Sequence, residues 1–329
     1  MLLSACRAAP IPAAARYPSG TAFVPRYVRV DGTKVRYIDA GSGTPVIFLH
    51  GLGASIYAWR GNLAPVESAG FRVVAFDNRG FGSSEKPSRG YSNADYVHLL
   101  IAFMDSLHLP DAVLVGHSMG GAIAAECAIT HPGRVRGLVL IDAAGVGIQQ
   151  PMVLRLIGWP GVGRIASGLR SRWITGRILR STYGEPRKVR PEDVDQYYAP
   201  VAEPDFGRAL RGVLREFRFD ALTGRLATVQ IPALVLWGER DHLIPERLGR
   251  ALASELARAA YLSVPDAGHS LAEEAPAEVT RLMIAFLKEG VSAPPPNLAI
   301  RAVPDATTRR EYVSSTIWLR KLAHATQAQ

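Results

Sequence analysis

The chain has little cysteine, with Cys6 and Cys127 the only two in 329 residues. Two thiols so far apart form neither a disulfide framework nor a cysteine-built zinc site. It also lacks any apolar run near the roughly 18 residues that a spanning helix requires. Acidic residues are in deficit, 29 against 38 basic, which leaves a formal charge of +9. The remainder is ordinary: 48% hydrophobic, 20% charged, with 31 Gly and 23 Pro. That balance excludes intrinsic disorder, collagen-like sequence and coiled coil, and suits one large α/β domain with an insertion or two smaller domains.

Where the charge sits narrows the reading further. Residues 31–145 and 229–290 are slightly acidic, at −1 and −3, while 1–30 carry +4, 146–228 carry +6 and 291–329 carry +3. No recognition-helix, finger or aromatic RNA-binding pattern accompanies the basic excess, so nucleic acid is not an expected partner. Residues 152–183 hold six arginines and no acid. The plainer reading is a solvated face with arginine stems packed on apolar surface, and the sharper one is peripheral contact with anionic lipid or an acidic substrate.

From residue 27 short β-rich runs alternate with helical stretches, the pattern of a mostly parallel sheet covered on both faces. Strands are expected at Tyr27–Val30 and Lys34–Ile38, joined by the hairpin signal Asp31-Gly32, and at Pro45–Leu49, Phe71–Phe76, Ala112–Val115, Val135–Ile141, Ala233–Trp237 and Ala260–Val264. Helices are expected at Gly61–Ser68, Asn93–Leu107, Met119–Thr130, Pro245–Leu256 and Pro276–Lys288. Residues 146–228 break the rhythm: they contain no convincing strand, and helical stretches such as Val153–Ile157 and Ile165–Leu179 are punctuated by Trp159-Pro160-Gly161, Gly184-Glu185-Pro186 and Ala202-Glu203-Pro204. An insertion of this length reads as a helical cap or lid. The expected organisation is a flexible leader 1–26, a core in two parts (27–145 and 229–290), the cap 146–228 and a tail 291–329 with one basic helix near Trp318.

The strongest chemical signal is Gly116-His117-Ser118-Met119-Gly120, directly after a strand and before a helix. This is the G-x-S-x-G elbow in its required strand–turn–helix setting. A serine in so tight a turn needs neighbours without bulk, which Gly116, Gly120 and Gly121 supply. The backbone N–H of Met119 then opens a helix and suits an oxyanion. A serine hydroxyl needs a base, and the base an orienting acid, in the chain order Ser, acid, His. Asp241, in Gly238-Glu239-Arg240-Asp241, and His269, in Gly268-His269, each follow a strand at its carboxyl end.

With His50-Gly51-Leu52-Gly53 and Asp77-Asn78-Arg79-Gly80-Phe81-Gly82-Ser83-Ser84 added in order, residues 27–290 resemble the α/β-hydrolase superfamily, in its serine-nucleophile, esterase/lipase-like branch with a helical cap. The resemblance implies an α/β fold with a mostly parallel central sheet of about eight strands, helices on both faces and an inserted cap. It implies Ser118 as nucleophile, His269 as base, Asp241 as orienting acid, and the backbone N–H groups of Leu52 and Met119 as the oxyanion hole. No cofactor or metal is implied, and the expected partner is a small hydrophobic ester. Relatives with an aspartate nucleophile are set aside by the serine at 118.

Alternatives accompany this assignment. Asp142 could serve as the acid in place of Asp241. His50 and His117 read as loop-shaping, His242 as structural, Glu239 and Asp266 as solvated, Asp77 and Arg79 as loop ties, and Cys127 as packed core. The rival reactions are hydrolysis of a carbon–carbon bond in a dienoic keto acid and, outside catalysis, ligand binding on the same scaffold. A cytoplasmic protein is expected. The alternative is a lipid anchor at Cys6, because Leu3-Ser4-Ala5-Cys6 resembles a lipobox, although the apolar segment of a signal peptide would then have to lie upstream.

Overall fold

The computed structural model describes residues 9–148 and 170–290. Cys6, the stretches Val153–Ile157 and Trp159-Pro160-Gly161, the start of the stretch at Ile165 and the tail helix near Trp318 lie outside the described residues. Eight strands form one sheet: β1 (Arg26–Val30), β2 (Thr33–Ala40), β3 (Pro45–Leu49), β4 (Arg72–Phe76), β5 (Ala112–His117), β6 (Val135–Ile141), β7 (Ala233–Gly238) and β8 (Ala259–Val264). Their spatial order is β1-β2-β4-β3-β5-β6-β7-β8. β2 pairs antiparallel with β1 and β4, and the remaining pairs are parallel. The hairpin closes where the sequence marks it: Val30 faces Thr33, with Asp31 and Gly32 both left-handed at φ 45° and 76°, the backbone of a two-residue type I′ turn.

A parallel sheet covered on both faces must bury both sides of its central strands. Every residue of β5 and β7 is buried. Alternate side chains enter two separate cores: Val46, Phe48, Val113, Val115, Leu234 and Leu236 on one face, Ile47, Leu49, Leu114, Val235 and Trp237 on the other. The first face is covered by α1 (Leu63–Ser68) and a C-terminal helix, Pro276–Ala285. The second is covered by α2 (Asn93–Ser106) and α3 (Met119–Thr130). A Ser92–Asp95 capping box starts α2. α1 begins two residues later than the pattern suggests, because Ile56–Trp59 is wound as a tight 3₁₀ turn ahead of it.

Between β6 and β7 the described residues contain α4 (Arg172–Ser181), α5 (Pro191–Val201) and α6 (Phe206–Glu216), and no strand. α4 starts at Arg172, where the Ser171 hydroxyl accepts the Ile174 N–H and caps it. After β7 come α7 (Glu246–Glu255), the short α8 (Leu271–Glu274) and α9 (Pro276–Ala285), which winds on as a π turn over Phe286–Gly290. The described arginines of the basic stretch have partners within the chain: Arg170 reaches the carbonyl of Glu203, Arg172 pairs with Asp195, Arg177 lies over the Trp173 ring and Arg180 bonds the Gly176 carbonyl.

The flexible leader is corrected over residues 13–23. Tyr17 and Phe23 are buried in the core, and Arg16 joins Glu203, Ser83 and the Ala199 carbonyl. The Tyr17 N–H donates to the Gln196 side chain of α5. Two aromatic side chains and an arginine are enough to bind a segment whose Pro and Ala content reads as a tether.

Candidate active site

The sheet order reverses beside β3, whose neighbours are β4 and β5. In such sheets the crevice at the carboxyl ends of the strands gathers the chemistry. Leu49 pairs with Gly116 at that point, which sets the His50–Gly53 loop against the elbow. A Cβ on Gly51 would lie 3.1 Å from the Ser118 Cβ, so the two loops touch.

Ser118 has φ 53° and ψ −119°, a conformation outside the regular L-residue regions. Strain of this kind costs about 1–3 kcal/mol and persists only where the surroundings enforce it. Here they do: the Ser118 N–H donates to the Ile141 carbonyl (3.0 Å), and its carbonyl accepts from Gly121 (3.0 Å), Ala122 (3.2 Å) and Ala144 (3.0 Å). A side chain at Gly120 would collide with the Leu49 carbonyl, and one at Gly116 with the Gly120 carbonyl. The glycines are steric requirements of the turn.

The structure brings the three sequence-predicted side chains into one hydrogen-bonded series. His269 Nε2 lies 3.0 Å from Ser118 Oγ, and His269 Nδ1 lies 2.8 Å from Asp241 Oδ2. The other Asp241 oxygen accepts the N–H groups of Leu243 and Ile244, both at 2.8 Å. A carboxylate held this way presents one fixed oxygen to the imidazole and sets the tautomer with the proton on Nδ1. Asp142 is not brought to His269. Its Oδ1 accepts the Gly238 N–H at 2.8 Å, and its Oδ2 has no hydrogen-bond partner among the described residues. Burial, reinforced by the charge of Asp241, pushes the Asp142 carboxyl well above the usual carboxylate range. Of the two carboxyl groups, only that of Asp241 is hydrogen-bonded to His269.

Leu52 sits on the loop after β3 and Met119 is the first residue of α3. Among the described residues neither backbone N–H donates to a protein acceptor. The loop bearing Leu52 is fixed from below. His50 Nε2 accepts the Asn78 N–H (2.9 Å), the His50 carbonyl accepts the Asn78 amide (3.0 Å), and Asp77 accepts the N–H groups of Ile56 (2.8 Å) and Ser83 (2.7 Å). Arg79 reaches the Gly90 carbonyl and the Thr33 hydroxyl. Burial lowers the pKa of His50, so it holds the loop as a neutral ring.

His117 has a contact that a loop-shaping role does not specify. Its Nε2 donates to the His269 carbonyl at 2.7 Å, and burial, with the neighbouring His269, lowers its pKa to about 3. Sequence reasoning missed two further groups. Glu273 pairs with Arg60 and accepts the Tyr197 hydroxyl, while Arg60 also meets Asp193 of α5 at 3.0 Å. Glu274 accepts three backbone N–H groups. Both look like solvated residues opening a short helix. The only signal is their place immediately after the catalytic-type histidine.

Comparison with known proteins agrees with this fold. The family model for the alpha/beta hydrolase fold matches residues 44–276. A 2-hydroxymuconate semialdehyde hydrolase from Pseudomonas sp. (strain CF600) is 30% identical over 285 residues, covering 84% of this chain and 98% of the relative. The solved meta-cleavage product hydrolase from Pseudomonas fluorescens IP01 is 25% identical with a TM-score of 0.71, over 80% of this chain and 98% of that one. A bacterial membrane phospholipase A is 28% identical with a TM-score of 0.68, over 82% and 87%.

Proposed function

The chain belongs to the alpha/beta-hydrolase family, and from that premise we propose that it is a serine hydrolase that cleaves carboxylic esters through an acyl-enzyme. The observation that carries this reading is the unbroken series Asp241–His269–Ser118, with bonds of 2.8 and 3.0 Å. Ser118 Oγ attacks the ester carbonyl as His269 Nε2 takes its proton. The carbonyl oxygen gathers negative charge, and the N–H groups of Leu52 and Met119 face it. His269 returns the proton to the leaving alcohol as the carbon–oxygen bond breaks, which leaves the acyl group on Ser118. Water, deprotonated by the same imidazole, then releases the acid. Asp241 keeps the imidazole oriented and stabilises its charged form, and the inserted helices would exclude water and select the substrate.

A second reading is carbon–carbon bond hydrolysis of a dienoic keto acid, favoured by the likeness to the 2-hydroxymuconate semialdehyde hydrolase and the meta-cleavage product hydrolase. The phospholipase likeness favours esters. Parallel kinetics on a short-chain nitrophenyl ester and on a ring-cleavage product separate the two, and Ser118→Ala is expected to abolish whichever is turned over. Turnover that survives this substitution contradicts both readings.

A further inference from the structure

Glu274 ties the loop that carries His269 to the turn at the end of the inserted helix α4. Glu274, at the end of α8, is 6% exposed. Its Oε2 accepts the Gly268 N–H at 2.7 Å and the Gly184 N–H at 2.9 Å, and its Oε1 accepts the Glu185 N–H at 2.6 Å. One buried carboxylate thus joins the Ala267–Gly268 peptide, one residue before His269, to the turn that follows α4. A carboxylate that accepts backbone N–H groups forms charge-assisted bonds about twice as strong as neutral ones. The two chains also meet directly. A Cβ on Gly268 would strike the backbone of Gly184, and one on Gly184 would strike the backbone of Asp266.

Three backbone groups around His269 are tied down. Gly268 N–H goes to Glu274, the His269 carbonyl accepts from His117, and the Ser270 N–H donates to the Thr182 carbonyl at 3.0 Å. Thr182 Oγ1 and Ser270 Oγ lie 2.7 Å apart. Two of these anchors, Glu274 with its Gly184 and Glu185 partners and Thr182, belong to the junction with the insertion. Beside the junction an open pocket of about 310 Å³ lies among Arg60, Tyr183, Arg190, Asp193 and Glu273.

We propose that Glu274 is a positioning residue: it couples the placement of the inserted helices to the aim of His269, so that the imidazole faces Ser118 only while the Gly184–Glu185 turn is seated. The inference rests on the serine-hydrolase reading. Its test uses the full chain, a nitrophenyl acetate substrate and the variants Glu274→Ala and Glu274→Gln. Alanine removes all three acceptors. Glutamine keeps one oxygen, which can hold Gly268 and Gly184, and sets an amide donor against the Glu185 N–H in place of an acceptor. Glu274→Ala is expected to lose kcat by about 10–100-fold, the scale of a misplacement near 1 Å, with KM nearly unchanged. Glutamine should restore most of the rate. The low-field proton resonance of the His269–Asp241 bond should broaden in the alanine variant and sharpen again in the glutamine variant.

Val35→Ala, a core truncation in the outer hairpin, supplies the activity lost through destabilisation alone. Should Glu274→Ala not fold, Thr182→Val removes the hydroxyl contact to Ser270 and is expected to lower kcat several-fold without moving KM. The proposal is overturned if Glu274→Ala loses no more kcat than Val35→Ala at equal folded fraction, if the loss falls in KM, or if glutamine does no better than alanine. Failure of the parent reading looks different, because turnover would then survive Ser118→Ala whatever stands at 274.

Discussion

His117 gives a sharp test of the site's electrostatics. It is buried between the elbow and the His269 carbonyl, and its folded pKa of about 3 lies below the ordinary 6.5. As pH falls, the unfolded chain takes up this proton first, so the stabilisation is complete above the unfolded value and drains away between 6.5 and 3. Between pH 7.5 and pH 5 the loss from this one ring is about 2 kcal/mol, and it changes little with the exact folded value as long as that stays well below 5. The perturbation is His117→Gln, whose side-chain amide reaches along the same edge as Nε2 and keeps the donor to the His269 carbonyl. Urea denaturation of both proteins at the two pH values reads the effect. The substitution's own cost is a constant offset, and His50, present in both proteins, cancels. The wild type should lose about 2 kcal/mol more than the variant between pH 7.5 and pH 5. Equal losses would refute the claim that His117 is buried as a neutral donor.

Three other outcomes are expected. Asp241→Asn should lower kcat by about 10⁴-fold, as loss of a triad carboxylate does, whereas Asp142→Asn, which alters a carboxyl bonded to the Gly238 N–H and not to His269, should keep kcat within a few-fold. Equal losses in the two variants would contradict the assignment of Asp241 over Asp142. Gly120→Ala places a methyl group against the Leu49 carbonyl and should cost more than about 3 kcal/mol, read as a lowered urea midpoint or loss of soluble protein. Tyr17→Ala should cost about 3 kcal/mol by emptying a core position, and unchanged stability would return the leader to the status of a tether.

Much of the catalytic frame was legible in the sequence because it is local. Strands of the central sheet are short apolar runs, and the elbow, the Asp241 turn and the His269 loop each follow one directly. Asp31-Gly32 declared its hairpin for the same reason, since two consecutive left-handed residues are a local demand. What stayed hidden depends on partners far along the chain. Glu274 acts on Gly184, and Arg16 on Glu203, and nothing within a few residues of either announces it. α5 was obscured by proline, which sits at its first position and again inside its last turn as Pro200. There it costs little, because the first N–H groups of a helix lack intrahelical acceptors in any case and the last turn is short. The preference for Asp241 over Asp142 was legible in its local pattern, and the hydrogen bond to His269 Nδ1 belongs to Asp241.

The central claim is that Ser118 is a nucleophile activated by His269 and Asp241, and covalent capture tests it most directly. The wild-type chain is treated with a fluorophosphonate and its peptides are mapped by mass spectrometry, beside Ser118→Ala and His269→Ala. The account predicts a single phosphonyl adduct on Ser118, absent in the first variant and formed far more slowly in the second. An intact chain that takes up no adduct, or takes it up equally after Ser118→Ala, would contradict it.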